Sequence, residues 1–378
     1  MADGRCIFLD AFTDPSFKSV SSAEIGFGIS SAVALKSGLA KLGFLIVEVK
    51  NNVIGDLSKL EWIYECYKQL HALQPQQYDV VLVFHSLIHF PGEIKRLINH
   101  HTKRGCPILA YAHGSHWDPT DSIRAQSSPG LLLQDLSNLL TSERLLLVSK
   151  FYYDKLRTQL STLGPLIQNR FQEVARVVGL PIDTDLIDEL RDVRDYAKPH
   201  SAVHILFNHA LRRPKRPDVA FSVMDKVLNK TRDCVFHITR SLHPEEPAVQ
   251  STLREVAARH PGRIMHHGTL SLKEYYKLLW DCDIQFSTAE HESFGVSTVE
   301  AMYTHNACFT PKRESYPEVT AGIGNYDDAE HLVHCLITAI QHPLYRIEVA
   351  DAQQIVARKF SGLQVAANIA AVVQEFST

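Results

Sequence analysis

The residues from Ser287 to Glu300 constrain this chain more than any other stretch of its sequence. They follow an apolar run, Cys282 to Phe286, that predicts a buried strand, and they lead into apolar residues at helical spacing from Val296 to Met302. The junction places Gly295 where the helix begins. Unpaired backbone N–H groups and the positive end of the helix dipole at such a position favour an anionic or polyhydroxyl ligand.

Two carboxylates, Glu292 and Glu300, lie eight residues apart across this junction. Carboxylate oxygens accept charge-assisted hydrogen bonds from sugar and ribose hydroxyls, so both side chains are candidates for one ligand site. The alternative is structural: Glu292 then lies beside a helix cap, and Glu300 belongs to a solvated helix face, as most surface carboxylates do.

The pattern around the two carboxylates resembles the Glu-x7-Glu signature of retaining glycosyltransferases with the GT-B fold, in the large family 4 group. This resemblance implies an α/β chain with two Rossmann-like domains facing a cleft. It also implies that Glu300 holds ribose hydroxyls, while Glu292 acts on the transferred sugar together with the amides of Phe294 and Gly295. Ser293 and Val296 complete the donor-binding candidates of this segment.

The length and composition fit this class of protein. With 378 residues, 45% of them hydrophobic and 21% charged, the chain is long enough for two domains of an ordinary soluble protein. A formal charge of -3 gives no global basic field for nucleic acid. We find no membrane-length apolar run and no signal-peptide pattern, and the seven cysteines form no CxxC pair, so we expect reduced thiols and a cytoplasmic location.

The first half of the chain begins with a strand, a glycine-containing loop, a helix and a strand, which is typical of a Rossmann-like domain. The loop ends in Gly26-Phe-Gly28, and the helix is expected from Ile29 to Leu42. The glycines lack the full G-x-G-x-x-G pattern, so they indicate a dinucleotide site only weakly. Gly28 remains a candidate for acceptor binding.

Polar residues follow several predicted strands of this half, where ligands bind in parallel sheets. They are Asp10, His85, His113, His116 and Ser149. We predict His85, His113 and His116 as acceptor-binding residues, and the resemblance favours His113 as a catalytic residue of the acceptor pocket. Histidines 85, 89, 113 and 116 could instead hold a metal, but no carboxylate or thiol completes a known ligand spacing.

The resemblance also suggests where the chain changes domain. The turn from Val178 to Asp183 is similar to the turn that closes the first GT-B domain, and the charged segment from Thr184 to Ser201 is interpreted as the crossing. We therefore predict an acceptor-binding domain at residues 1–190 and a nucleotide-sugar-binding domain at 191–350. Residues 351–378 are expected to form a helical tail that packs back on the first domain.

The second domain is predicted to open with a strand and a basic loop, Asn208 to Pro217. Members of the resembled family use an arginine and a lysine of this loop to hold the diphosphate. Lys215 matches the lysine, but Ala210 stands at the arginine position, so Arg212 and Arg213 are the expected substitutes. Asn208 and His209 are further donor-binding candidates. The alternative is a solvated basic loop without a ligand.

Several stretches of the second half resemble the tRNA-queuosine mannosyltransferase group. They are Asn208-His209 with Lys215-x-Pro217, Ser287 to Gly295, and Pro311-Lys312 with Tyr316-Pro-Glu318. The first domain does not share this resemblance, so a tRNA acceptor does not follow from it, but a GDP-sugar donor stays open.

The resemblance thus predicts a hexosyltransferase that uses a GDP- or UDP-sugar and a small-molecule, nucleoside or glycan acceptor, with Glu292, Lys215 and His113 as catalytic residues. No cofactor or metal is expected. Of the two D-x-D triplets that could suggest a metal site, Asp281 to Asp283 begins a predicted buried strand, and Asp183 to Asp185 lies in the predicted domain crossing. A homodimer is possible. Two alternatives remain open: a nucleotide-sugar-binding protein without transferase activity, and a Rossmann oxidoreductase.

Overall fold

A computed structural model describes residues 5–9, 26–49, 59–87, 90–101, 105–121, 123–124, 127–191, 202–242 and 246–376. The chain divides into two compact units, and it passes between them at two places. Unit 1 contains Met1–Pro181 and Gly362–Thr378, and unit 2 contains Ile182–Ser361. The sequence analysis predicted domain boundaries at residues 190 and 350. Asp10 and His89 lie outside the described residues.

Unit 1 is an α/β layer around a parallel sheet, which has six strands within the described residues and the order β2-β1-β3-β4-β5-β6. The central strands are largely apolar and buried, as parallel strands between helices must be, whereas the two edge strands are partly exposed. They are β1 (Arg5–Leu9), β2 (Leu45–Val49), β3 (Val80–Val83), β4 (Ile108–Ala112), β5 (Arg144–Leu147) and β6 (Ala175–Val177).

The helices of unit 1 connect these strands, and the last helix of the chain joins them. They are α1 (Gly26–Lys41), α2 (Lys59–Leu73), α3 (Pro91–His101), α4 (Pro129–Thr141), α5 (Lys150–Ser161), α6 (Pro165–Val174) and α15 (Gly362–Gln374). Glycines allow α1 and α15 to pack closely, because a Cβ atom at Gly38 would lie 2.2 Å from the carbonyl oxygen of Gly362. The expected loop at Gly26-Phe-Gly28 is wrong, since α1 already begins at Gly26 and includes Gly28.

Unit 2 repeats the same plan with the strand order β12-β11-β10-β7-β8-β9, again a parallel sheet of six strands in the part of the chain that is described. Its strands are short, and buried side chains of β7, β8, β10 and β11 fill one core with the flanking helices, whereas the edge strand β9 is largely exposed. They are β7 (Val203–Phe207), β8 (Cys234–Ile238), β9 (Ile264–His266), β10 (Ile284–Phe286), β11 (Ala307–Pro311) and β12 (Asn325–Tyr326).

Three of the described helices of unit 2 begin at side-chain caps, which Asp183, Ser271 and Asp328 supply. Ser271 and Glu274, for example, form a capping box at the start of α10. The helices are α7 (Thr184–Glu189), α8 (Pro217–Lys230), α9 (Pro247–Arg259), α10 (Leu272–Asp281), α11 (Val296–Tyr303), α12 (Tyr316–Val319), α13 (Ala329–Gln341) and α14 (Pro343–Ala357). Helix α7 forms within the charged segment that the sequence assigned to the crossing. Among the helices that the structure describes, none combines the length and apolar character of a bilayer crossing.

Candidate functional site

The candidate site of unit 2 lies where β7 and β10 end. These strands are hydrogen-bonded neighbours and run parallel, so their carboxyl ends meet at one edge of the sheet. Strand β7 is followed by Asn208 and His209, and β10 is followed by the loop that contains Glu292 and leads into α11. The fold therefore brings the basic loop and the two-carboxylate junction of the sequence to the same edge.

An ion pair connects the two loops at this edge. The Lys215 ammonium donates to Oε2 of Glu292 at 2.7 Å and to the carbonyl oxygen of His291 at 3.0 Å. The Lys215 and Glu292 side chains are only 21% and 15% exposed. Burial is the strongest single influence and acts to raise the pKa of the Glu292 carboxyl. The charge and the hydrogen bond of Lys215, with smaller contributions from neighbouring histidines, together outweigh burial, and the pKa lies below its usual value. Glu292 is therefore ionised and paired at neutral pH.

Glu300 has a different environment on the inner face of α11. Glu300 is 4% exposed, and its two carboxyl oxygens accept hydrogen bonds from the hydroxyls of Tyr276 and Tyr275, each at 3.0 Å. Burial raises the pKa of Glu300 to about 7, although the tyrosine hydroxyls act to lower it. Because a carboxylate offers about four acceptor positions, two remain after the tyrosines are bound.

Asn208 and His209 join this network from the end of β7. The side-chain amide of Asn208 donates to the Tyr275 hydroxyl at 3.0 Å, and the amide of Gln285 donates to Oδ1 of Asn208 at 3.1 Å and to Nε2 of His209 at 3.2 Å. Burial, together with nearby positive charge, lowers the pKa of His209 to about 3. His209 is therefore neutral and accepts through Nε2.

The start of α11 supplies backbone donors to the same edge. Gly295 caps this helix with a φ of 93°, a left-handed conformation that favours glycine, and a Cβ atom there would lie 3.1 Å from the Tyr316 ring. Phe294 is buried edge-on against Phe360, with ring centroids 5.0 Å apart. The N–H groups of Val296 and Ser297 precede the first hydrogen bonds of the helix, which Thr298 and Val299 donate to the Gly295 carbonyl oxygen, and such N–H groups suit an anionic ligand. Ser293 is half-buried in the loop before the cap.

The arginines of the basic loop have unequal positions. Arg212 is half-buried and Arg213 is exposed. Arg216, which the sequence analysis did not single out, is engaged by Asp218 and Glu290 through ion pairs. The number of arginines in this loop therefore does not show which cation would act together with Lys215.

Sequence reasoning missed three residues that belong to this network: Tyr275, Tyr276 and Arg240. The tyrosines lie on α10, and their hydroxyls bind Glu300. Arg240 follows β8 by two residues, and its guanidinium carbon lies 6.0 Å from the Tyr275 ring centroid. No short motif contains them, because they come from elements that only the folded sheet places beside Glu300.

The predicted acceptor residues lie in unit 1, at the ends of β3 and β4. His113 lies beside His85, with ring centroids 4.9 Å apart, and its Nε2 donates to the Phe84 carbonyl oxygen at 2.6 Å. Burial lowers the pKa of His113 to about 4, so its ring is neutral. His116 is held elsewhere, with Nδ1 2.7 Å from Oγ of Ser127. The structure thus groups His85 with His113.

The two D-x-D triplets have structural roles in unit 2. Asp183 caps α7 by accepting from the backbone N–H of Leu186, and Asp283 accepts from the backbone N–H of His204 at 2.8 Å. Each contact satisfies a backbone donor at the end of a helix or strand.

A cavity of about 720 Å³ lies at the far end of α11 from Glu292. It is lined by Trp280 and Tyr303, which lie at the carboxyl ends of their helices, where the helix dipole is negative. The Tyr303 hydroxyl donates to Asp188 at 2.8 Å, and the Arg191 guanidinium carbon lies 5.0 Å from the Trp280 ring centroid. Arg191 and Arg358 supply positive charge to this lining.

No protein-family model matches the chain. The chain is 25% identical over 141 residues to the tRNA-queuosine alpha-mannosyltransferase of Drosophila melanogaster. The matched segment covers 37% of this chain and 37% of that protein, so the similarity spans little more than a third of the relative's length.

Solved structures match over almost the whole chain. Sucrose-phosphate synthase from Thermosynechococcus elongatus has a TM-score of 0.71 at 11% identity, with 99% of both chains covered. Trehalose-6-phosphate synthase OtsA has a TM-score of 0.69 at 13% identity, with 98% and 99% covered. Anabaena HepE, in complex with UDP and glucose, has a TM-score of 0.65 at 14% identity, with 99% and 100% covered. The predicted fold is thereby confirmed: the chain has the GT-B fold of these glycosyltransferases, with a Rossmann-like α/β layer in each of its two units.

Proposed function

We propose that the protein is a retaining glycosyltransferase that moves a hexose from a GDP- or UDP-sugar to a hydroxyl of a small-molecule, nucleoside or glycan acceptor. The observation that carries this proposal is the pairing of Lys215 with Glu292 beside the start of α11, at the same sheet edge as the hydrogen-bonded network of Glu300. A cation, helix N–H groups and two carboxylates at one sheet edge suit the diphosphate and hydroxyl groups of a nucleotide sugar.

The proposed roles follow from these environments. Lys215 binds the diphosphate and stabilises its charge as the bond to the sugar breaks. Glu292 accepts hydrogen bonds from the sugar hydroxyls, and Glu300 accepts from the ribose hydroxyls through the acceptor positions that Tyr275 and Tyr276 leave open. The leaving phosphate takes the proton of the acceptor hydroxyl, so no protein nucleophile is required. We assign acceptor binding to His85, His113 and His116 of unit 1.

The mannosyltransferase similarity makes a mannose donor the first to test, and the UDP complex of HepE makes UDP-glucose the second. We propose that transfer needs no metal, because lysine and arginine side chains supply the positive charge at the diphosphate. Activity that is abolished by EDTA and restored by Mn²⁺ would contradict this part of the proposal.

The test is a thermal-unfolding screen with UDP-, GDP-, ADP- and TDP-sugars, followed by NMR of the anomeric proton during turnover. A donor at about 100 times its Kd should add about 2.7 kcal/mol to the free energy of unfolding. The proposal predicts a product with the anomeric configuration of the donor. Saturable donor binding without hydrolysis or transfer would favour the alternative of a nucleotide-sugar-binding protein, and the absence of binding to every nucleoside diphosphate would reject both.

A further inference from the structure

The charge at the proposed diphosphate site is incomplete with Lys215 alone. Glu292 lies 2.7 Å from the Lys215 ammonium and cancels its charge, whereas a diphosphate brings more than one negative charge. Ala210 stands where the resembled family has its arginine. The site therefore needs a second cation from elsewhere in unit 2, and this inference rests on the proposed function.

Arg240 reaches this edge from the neighbouring strand. Strand β8 pairs with β7 in register, with Ile238 opposite Phe207, so Arg240 follows β8 at the same edge where Asn208 and His209 follow β7. Nε2 of His266 donates to the Arg240 carbonyl oxygen at 2.8 Å and fixes this part of the backbone.

The Arg240 side chain lies against the network that holds Glu300. Arg240 is half-buried, and its guanidinium carbon is 6.0 Å from the ring centroid of Tyr275. The Tyr275 hydroxyl donates to Glu300 and accepts from Asn208. Burial is the largest influence on the pKa of His209, and the positive charges of Lys215 and Arg240 lower that pKa further. His209 thus lies within electrostatic reach of both cations.

The other nearby arginines are placed less favourably. Arg216 is already paired with Asp218 and Glu290, and Arg213 is exposed on the loop. Arg212 precedes the short 3-10 turn from Arg213 to Lys215. Only at Arg240 do partial burial, position at the sheet edge and contact with the Glu300 network come together in the described part of unit 2.

We propose that Arg240 is the second cation of the diphosphate site. From the end of the adjacent strand, it takes the place of the loop arginine, whose position is occupied by Ala210 in this chain. A planar guanidinium offers two parallel N–H groups to phosphate oxygens, which lysine does not. Arg240 then binds the donor on the side of β8, while Lys215 binds it on the side of the loop.

The test measures binding of UDP and GDP, of the monophosphates and of the nucleosides to Arg240→Gln by calorimetry. We expect the Kd of the better diphosphate to rise about tenfold or more, because a charge-assisted hydrogen bond is lost. The nucleoside should change by less than about twofold, since it carries no phosphate. Arg240→Lys should recover part of the loss, and Arg232→Gln, an exposed arginine before β8, serves as the matched control.

Three results would overturn the inference. In the first, Arg240→Gln binds the diphosphate as tightly as the wild type, while Arg212→Gln or Arg213→Gln weakens diphosphate binding. This result would assign the role of second cation to an arginine of the loop. Equal losses for nucleoside and diphosphate would assign Arg240 a structural role. A wild-type protein that binds no nucleoside diphosphate would reject the proposed function itself, and the inference with it, so the two failures are distinguishable.

Discussion

Glu292 and Glu300 stand at the two ends of one short junction, yet their carboxyl groups have opposite surroundings. Glu292 lies in the loop against the Lys215 ammonium, which holds the pKa of Glu292 below its usual value despite burial. Glu300 lies inside on α11, and burial raises its pKa to about 7 even though two tyrosine hydroxyls bind it. Of the two carboxylates in this motif, Glu292 is therefore stabilised by an ion pair, and Glu300 by hydrogen bonds from neutral hydroxyls.

This difference predicts that a ligand competes with Glu292 for its partner Lys215. The same ligand binds Glu300 without removing its tyrosine partners. In the proposed function, the Lys215 ammonium that pairs with Glu292 also binds the diphosphate, so a bound nucleotide sugar competes with Glu292 for that positive charge. Glu300 keeps its tyrosines and has two acceptor positions left. Mutations at the two carboxylates should therefore have effects of different kinds.

The largest effect is expected for Glu292→Gln. Turnover should fall about a hundredfold, because the amide removes a charge-assisted hydrogen bond to the sugar as its charge develops. The same change should tighten binding of free nucleoside diphosphate, since Lys215 is no longer shared. Steady-state kinetics and calorimetry measure the two effects. Glu290→Gln, at an exposed neighbour, is the control, and wild-type turnover in Glu292→Gln would remove Glu292 from the mechanism.

Lys215→Ala should weaken nucleoside diphosphate binding about tenfold or more and leave the nucleoside within about twofold, because only the phosphates lose their partner. Lys230→Ala, an exposed lysine at the end of α8, should change neither. If calorimetry shows equal losses for nucleoside and diphosphate, Lys215 supports the fold and does not bind phosphate.

The smallest effect concerns pH and stability at Glu300. Because its pKa is higher in the folded state than in the unfolded state, the folded protein binds more protons above the unfolded pKa, and stability is lost as pH rises toward 7. This group should cost the wild type about 1 kcal/mol of unfolding free energy between about pH 6 and pH 8. Glu300→Gln should lack that loss in denaturant titrations.

Buried histidines act in the opposite direction and make a matched comparison necessary. Burial lowers the pKa of His113 to about 4 and of His209 to about 3, so stability from these groups falls as pH drops below the unfolded value. The informative quantity is the difference between wild type and Glu300→Gln at each pH, with exposed Glu348→Gln as the control. Parallel pH curves for wild type and Glu300→Gln would contradict a raised pKa at Glu300.

Local patterns in the sequence predicted much of the fold and part of this contrast. Apolar runs placed the strands, and the junction from Ser287 to Glu300 placed both carboxylates at a strand–helix boundary, since periodicity and turn residues are local signals. Local signals were weaker at Gly28, where α1 begins earlier than the glycine pattern indicated, and in the charged segment where α7 forms.

The partners of the carboxylates were less predictable, because they depend on which strands become neighbours. Tyr276 is 24 residues from Glu300 along the chain, and Lys215 is 77 residues from Glu292. The sequence identified Lys215 only through a family resemblance, and it missed Tyr275, Tyr276 and Arg240, for which no motif existed. Pairing across a sheet therefore decides how each carboxylate behaves.

The central claim is that Glu292 serves the sugar and Glu300 the nucleotide, and one set of affinities tests it directly. Calorimetry would give the Kd of the nucleoside diphosphate and of its sugar for wild type, Glu292→Gln and Glu300→Gln. We predict that Glu300→Gln weakens both ligands by the same factor of about ten, while Glu292→Gln weakens the sugar nucleotide relative to the diphosphate. If both mutations change both ligands by equal factors, the two carboxylates do not have separate roles and the account is wrong.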